Sequence, residues 1–436
     1  MADLCREIPK TPTLESIRKV TPHIPHIEIA AREFQRTIAE DDIVALYGGL
    51  GRYYSGQGLY FLAEPWLVDC LTLTRSRLQE LHPDVATSLN NLAVLYKNQG
   101  RYTEAEPLYK DALALRKELL GHRHPDVATS LNNLALLYDN QGRYSEAEPL
   151  YKDALALRKE LLGHRHPDVA TSLNNLAVLY DNQGRHPEAE PLFIEALALR
   201  QELLSHRHPD VADSFNDLAI LYDNQGRYPE AEPLFIEALA LYKELLGDRH
   251  PYVATTLDNL ATLYDNQGRY IKAEPLYKQA LALRKELLGD RHPDVATSLN
   301  NLAVLYDNQG RYTEAEPLYE KALALYKEIL GHRHPNIATS LNNLAGLYYK
   351  QGRYTEAEPL YKDALALRKK LLGDQHPDVA NSLNNLAVLY DNQGKYSEAE
   401  PLYIEAVAIA EETLGVNHPS AVIFRDNLAS LRNAQK

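Results

Sequence analysis

Sulfur and most bulky aromatics are scarce in this chain. Cysteine occurs only at Cys5 and Cys70, and 436 residues hold one methionine, one tryptophan and six phenylalanines. Two cysteines exclude a disulfide scaffold and a thiolate zinc site, and they suit a reducing compartment. Positive charge is also in deficit. Lys and Arg number 46 against 60 Asp and Glu, a formal charge of −14, which argues against a nucleic-acid or anionic-membrane surface. No apolar run reaches the ~18 residues of a membrane span. The opening MADLCREIPKTP lacks the apolar core of a secretory leader. The expectation is a soluble, acidic, cytoplasmic protein.

Tyrosine is the exception, with 29 copies. Such heavy use of one aromatic points to a copied motif. His-Pro recurs at His82, His124, His166, His208, His250, His292, His334, His376 and His418, always 42 residues apart. Eight full units therefore fill 82–417, and a partial ninth occupies 418–436. A period of this size indicates a solenoid and displaces the three domains that length alone suggests.

Each unit predicts two helices. In the unit starting at 124, Val127, Leu131, Leu134, Ala135 and Tyr138 share one face of a 3.6-residue period. Asn140-Gln141-Gly142-Arg143 ends that helix, with Gly142 suited to a left-handed stop. Ser145-Glu146-Ala147-Glu148 reads as a capping box opening the second helix, with Pro149 inside its first turn. Leu150, Tyr151, Ala154, Leu155 and Leu157 continue the apolar face, and Gly163 stops it. The small residues Ala135, Ala147 and Ala154 allow close helix approach.

Leu131, Leu134, Ala135, Tyr138, Gly142, Ala147, Tyr151 and Ala154 together resemble the tetratricopeptide repeat. The longer second helix and the Gly-x-x-His-Pro loop resemble the 42-residue variety of kinesin light chains and many bacterial proteins. The resemblance implies an all-α, right-handed superhelical solenoid of antiparallel helix pairs, with the first helices lining a concave groove. Residues 40–81 have the length of one unit, and Gly58, Tyr60, Ala63, Glu64, Pro65 and Leu71 keep its register. Gly48, Gly49 and Gly51 stand where packing residues belong, so this segment reads as a degenerate capping repeat. Residues 1–39, with Pro9, Pro12, Pro22 and Pro25, read as short helices and linker. Residues 418–436, with Val422, Asn427 and Leu428, read as a C-terminal cap helix. The flank IPKTPTLESIRKVTPHIPHIE, followed by GLGRYYSGQGLYFLAEPW, resembles the junction into such repeats in bacterial, notably cyanobacterial, NB-ARC-type signalling NTPases, although no phosphate-binding Gly-x-x-x-x-Gly-Lys-Ser/Thr loop occurs here.

Site chemistry is sparse. His-Arg-His at 122–124, 164–166, 206–208 and 332–334 has the look of a metal pair, but no carboxylate or thiol completes a ligand set, so it reads as a loop and helix start. Gly48-Gly49-Leu50-Gly51 follows no strand and precedes no Lys-Ser/Thr, so it reads as helix, not a phosphate loop. No nucleophile, base and orienter stand together, and an enzyme is not expected; neither is a cofactor or a metal.

The LNNLA asparagines are different, because asparagine is disfavoured inside helices. They recur as Asn90/Asn91, Asn132/Asn133, Asn174/Asn175, Asn300/Asn301, Asn342/Asn343 and Asn384/Asn385, with Asn216 and Asn259 single. Either one amide of each pair bonds the neighbouring helix, or the amides form a ladder facing the groove to hold a peptide backbone, as the kinesin light chain resemblance implies. The two point ~100° apart on a helix, so both readings stand. The groove stripe of one unit is Thr129, Asn132, Asn133, Leu136, Asp139 and Asn140. Charge singles out the unit at 208–249, which carries −6. Asp213, Asp217 and Asp223 lie on its stripe, with Asp258 and Asp265 on the next. They form either a solvated acidic face or a site for a basic peptide segment.

The expected function is a non-enzymatic scaffold or adaptor for a protein or extended peptide, with no nucleic-acid or membrane partner. The alternative is the ligand-sensing arm of an NB-ARC-type system acting on an NTPase partner. A kinesin light chain fits less well, because residues 1–81 hold no heptad coiled coil. Stacked units touch only their neighbours, so stability should be nearly additive along the chain. Removing residues 418–436 should expose Leu402, Ala406 and Ile409, lower solubility and melt the last unit first. Hydrogen exchange on the truncated chain checks this; uniform loosening of all units would refute it.

Overall fold

Histidine starts every first helix, for a reason its side chain shows. In a computed structural model, which describes residues 2–6, 8 and 14–434, His124 sits in extended backbone (φ −141, ψ 143) before the helix Pro125–Asn140. Its Nδ1 accepts the Asp126 amide at 3.1 Å. The ring thereby satisfies one of the orphan amides of the first turn, and Pro125 fills a position where no N–H is needed. The same cap recurs at His82, His166, His208, His250, His292, His334, His376 and His418.

At the other end Gly142 takes φ 65, and the Arg143 amide reaches back to Tyr138 O at 2.9 Å. The chain reverses so tightly that the second helix begins at once, as Tyr144–Leu162. This corrects the capping-box expectation. Arg143 is the cap residue and its side chain makes no cap bond. Ser145 already lies inside the helix, and Pro149 falls in the second turn. Glu148 is left free to face outward, where it meets the next unit.

Three contacts join consecutive units. Apolar side chains interlock around alanines: Ala135, Ala147 and Ala154 are fully buried, and Tyr151 is 1% exposed. Each turn arginine from Arg101 to Arg353 except Arg269, which has Lys272 in place of the second glutamate, also binds two glutamates. Arg143 Nη1 donates to Glu106 of the preceding unit at 2.7 Å, and its Nε donates to Glu146 at 2.6 Å. Its guanidinium lies 4.0 Å over the Tyr138 ring, a stacked cation–π contact. Buried Arg158 then reaches forward to Asp168 O and Ser172 Oγ of the following unit at 3.1 and 2.7 Å.

Residues before 82 join the same stack. Ile43–Ser55 and Tyr60–Leu78 form a helix pair, and the glycines in its first helix have a packing role. A Cβ on Gly49 would lie 2.4 Å from Cys5 Cβ, and one on Gly51 would lie 2.5 Å from Leu67 Cδ2. They admit the helix Ala2–Arg6 and the second helix at close range. At the far end Pro419–Ala434 covers Ala406 and Ile409 through Ala421 and Phe424.

Successive first helices contact one another directly, so the ribbon curls with them on its concave side. It curls far enough to meet itself. His334 Nε2 donates to Asn98 O at 3.1 Å across 236 residues, between five and six units of chain. Pro335 Cδ would sit 2.5 Å from a Cβ on Gly100, and Pro293 Cδ equally close to one on Gly58. The turns of the units at 40, 82, 124 and 166 thus lie against the His-Pro starts at 292, 334, 376 and 418.

The glutamate that joins units sets an acid limit. Burial opposes ionisation of Glu148, but hydrogen bonds from Arg185, Lys152 and Tyr180 outweigh it and hold the carboxyl down to about 2. A lowered folded-state value means stability present above the unfolded value of ~4.3 and lost as pH falls through the folded one. Glu148→Gln should cost roughly 1–3 kcal/mol at neutral pH. The difference from wild type should close as pH drops from about 4 to about 2. Melting curves across that range check it.

Candidate functional site

The concave wall is built from the outward faces of the first helices, and its amides are bonded in rungs. Asn133 Nδ2 donates to Asn90 Oδ1 at 2.8 Å, and Asn175 Nδ2 to Asn132 Oδ1 at 2.8 Å. Asn259 reaches Asn216, Asn343 reaches Asn300, Asn385 reaches Asn342, and Asn427 reaches Asn384 in the same sense. The second amide of one unit therefore binds the first amide of the unit before. Each rung uses one Oδ1 and one Nδ2. Among the described residues, the first asparagine's Nδ2 and the second's Oδ1 take no further protein bond in Asn132 and Asn133. Asn90, Asn91 and Asn133, with Arg52, line an open cavity of about 650 Å³ to which His292 and Asp294 also contribute.

A second ladder runs two turns further along the same helices, and the sequence reading missed it. Asn182 donates to Asp139 at 3.2 Å, Asn224 to Asp181 at 2.9 Å, Asn266 to Asp223 at 3.1 Å and Asn308 to Asp265 at 3.1 Å. Lys350 replaces asparagine opposite Asp307. The signal was the Asp-Asn dipeptide closing most first helices, whose members meet only across a unit boundary.

All five aspartates of the acidic centre have partners. Asp213 accepts from Tyr242 Oη, Asp217 from Asn174 Nδ2 at 2.9 Å, and Asp223 and Asp265 from the asparagines above. Asp258 differs most from expectation. It is 3% exposed and paired with Arg284, itself buried, with Ser298 alongside. It stands at a first-asparagine position, but the guanidinium behind the wall draws it inward, so it is not presented to a ligand. The other four share a different property. Burial raises the carboxyls of Asp213, Asp217, Asp223 and Asp265, and their hydrogen-bond donors offset it only in part. Asp217 reaches about 6, with Asp213 nearby adding to the rise and Arg200 opposing it.

Residues 41–412 are matched by the tetratricopeptide repeat profile in overlapping stretches, 41–118, 84–160, 140–190, 168–244, 211–286, 266–328, 294–370 and 336–412. The chain belongs to the tetratricopeptide repeat family. Several solved structures are similar to this chain. A putative kinesin light chain from Podosopora anserina with nearly identical TPR-like repeats is 29% identical, covering 47% of this chain and 97% of its own, with TM-score 0.39. A Rap protein complexed with Competence and Sporulation Factor is 16% identical, covering 81% and 97%, with TM-score 0.54. A signal transduction ATPase with a tetratricopeptide repeat sensor from Pyrococcus horikoshii is 15% identical, covering 80% of this chain and 50% of that one, with TM-score 0.46. No match is found among curated proteins. In this tetratricopeptide repeat protein no helix is long and apolar enough to cross a membrane, among the described residues.

Asp217 occupies a second-asparagine position, and its neighbour has adapted to it. A carboxylate cannot donate, so Asn174 presents Nδ2, and its Oδ1 is left buried without a bond among the described residues. Asp217→Asn would restore the usual rung, with the Asn174 amide turned over. A raised folded-state value means stability present below ~4 and lost as pH rises through about 6. The variant should therefore melt higher at pH 7, by about 1 kcal/mol of stability, and show little gain at pH 4. Paired thermal melts decide it; an equal or lower melting point at pH 7 contradicts the assignment.

Proposed function

We propose that this tetratricopeptide repeat protein is a non-enzymatic scaffold or adaptor that holds a protein segment or extended peptide along its concave wall. The observation that carries the reading is the amide ladder. Among the described residues its six asparagine rungs each use one donor and one acceptor. They leave further amide groups unbonded at a repeat set by the fold, and an extended backbone offers both kinds of partner in alternation. Asn90, Asn91 and Asn133 reach the cavity directly. Asn174, Asn175, Asn216, Asn259, Asn300, Asn301, Asn342, Asn343, Asn384 and Asn385 continue the wall. The Rap structure supports the reading, since a similar fold is there complexed with Competence and Sporulation Factor. A sensor arm acting on an NTPase would use the same wall.

The partner segment carries basic residues. Asp213, Asp217, Asp223 and Asp265 have neutral hydrogen-bond donors and raised carboxyls, so a Lys or Arg side chain would relieve charge that the fold leaves under-compensated. A basic peptide should bind better than an acidic one of matched hydrophobicity, by roughly 0.2–1 kcal/mol per aspartate at low salt, and the gap should narrow as salt is raised. Asp213→Thr with Asp217→Asn should remove most of the preference. Threonine at 213 is compatible with the fold, because Thr297 faces Tyr326 at 2.7 Å in the same geometry. Calorimetric titration of both peptides at two salt concentrations checks this. Equal affinities in wild type would refute the basic partner, and absence of any peptide binding would refute the groove.

A further inference from the structure

The seam where the ribbon meets itself is half used. Four turns, closed by Gly58, Gly100, Gly142 and Gly184, lie within 2.5–2.8 Å, measured from a built Cβ, of a His-Pro start on the next superhelical turn. At Gly226, Gly268, Gly310, Gly352 and Gly394 nothing stands within 4 Å. The opposite edge shows the same division. His292 is buried in the seam with 11% of its side chain exposed, whereas His124 and His166 are 37% exposed. Among the seam prolines Pro293 and Pro377 are buried, Pro335 is partly open and Pro419 is exposed, while Pro125 and Pro167 outside it are partly open.

Used and unused edges carry the same residues. Asn-Gln-Gly-Arg-Tyr at 98–102 and 140–144 is in the seam, and the identical Asn-Gln-Gly-Arg-Tyr at 224–228, 266–270 and 308–312 is free. His-Pro-Asp at 292 and 376 is in the seam, and His-Pro-Asp at 82, 124, 166 and 208 is free. The contact is specific. Proline lies on the turn glycine at Gly58, Gly100 and Gly142, and the His418 ring does so at Gly184. A histidine whose Nδ1 caps the helix donates its Nε2–H to the turn carbonyl, as His334 does to Asn98. Every copy of the chain therefore displays both halves of an interface that it already forms with itself.

We propose that the free His-Pro edge of one copy docks on the free turn edge of a second copy, head to tail, continuing the seam between molecules. Such pairing is heterologous and leaves an unused edge at each end, so it grows by addition and not by closure into a dimer. The inference does not depend on what the concave wall binds.

The test uses the full chain and its triple variant Pro125→Glu, Pro167→Glu, Pro209→Glu. Glutamate suits the first turn of a helix, so the solenoid should stay folded, with circular dichroism and melting as the control. The charge would stand where the seam packs proline on glycine. Sedimentation equilibrium should show wild-type mass rising steadily with concentration, and the variant should need at least tenfold more protein to associate. The variant keeps its free turn edge, so added to wild type it should end growing stacks and lower their mean mass. A wild type that stays monomeric at every concentration overturns the proposal. So does a variant that associates as wild type does, or one that fails to shorten wild-type stacks.

Discussion

No unit of this protein can bury its apolar face alone, and every polar rung is likewise completed by the next unit. The turn arginine finds its second carboxylate 37 residues back, and the asparagine and aspartate rungs span 43. These spacings each equal one repeat adjusted by a few positions, so a single rigid step from unit to unit, a translation with a small rotation, satisfies them all at once. Packing density enforces that step, because fully buried alanines at each interface tolerate no change in helix separation.

Strict repetition of one step also fixes what the concave wall can be. A rung that joins units consumes one donor and one acceptor of its two amides, and the first asparagine is buried in the wall at Asn132, Asn174 and Asn384. Departures from the repeat stand out for the same reason. Asp213 pairs with Tyr242 where every other unit but the one at 376 places threonine opposite arginine or tyrosine. Asp217 forces an inverted amide on Asn174. Asp258 is taken out of the wall by Arg284. Two neighbouring units thus hold most of the wall's chemical individuality.

Curvature follows from the same repeat. Once first helices touch along the inner side, the small rotation per unit accumulates, and the chain returns on itself within its own length. The histidine cap gains a second role there. One ring nitrogen serves the helix start and the other reaches the turn of the previous superhelical turn, which fixes the neutral tautomer in His334; burial pushes its ionisation down to about 4.

The sequence by itself determined the units, their helices, the interlocking apolar faces and the asparagine positions, because these depend on periodicity within one repeat. It mislaid the start of the second helix, since Ser145-x-x-Glu148 satisfies the capping pattern locally while Glu148 is claimed by Arg185 in the following unit. It placed Asp258 on the wall by its register, without the buried guanidinium behind it. The Asp-Asn ladder and the seam were out of its reach. Both are contacts between residues a whole repeat or several repeats apart, whose meeting depends on the angle between consecutive units. That angle is set by how side chains interlock in three dimensions, and no local pattern encodes it.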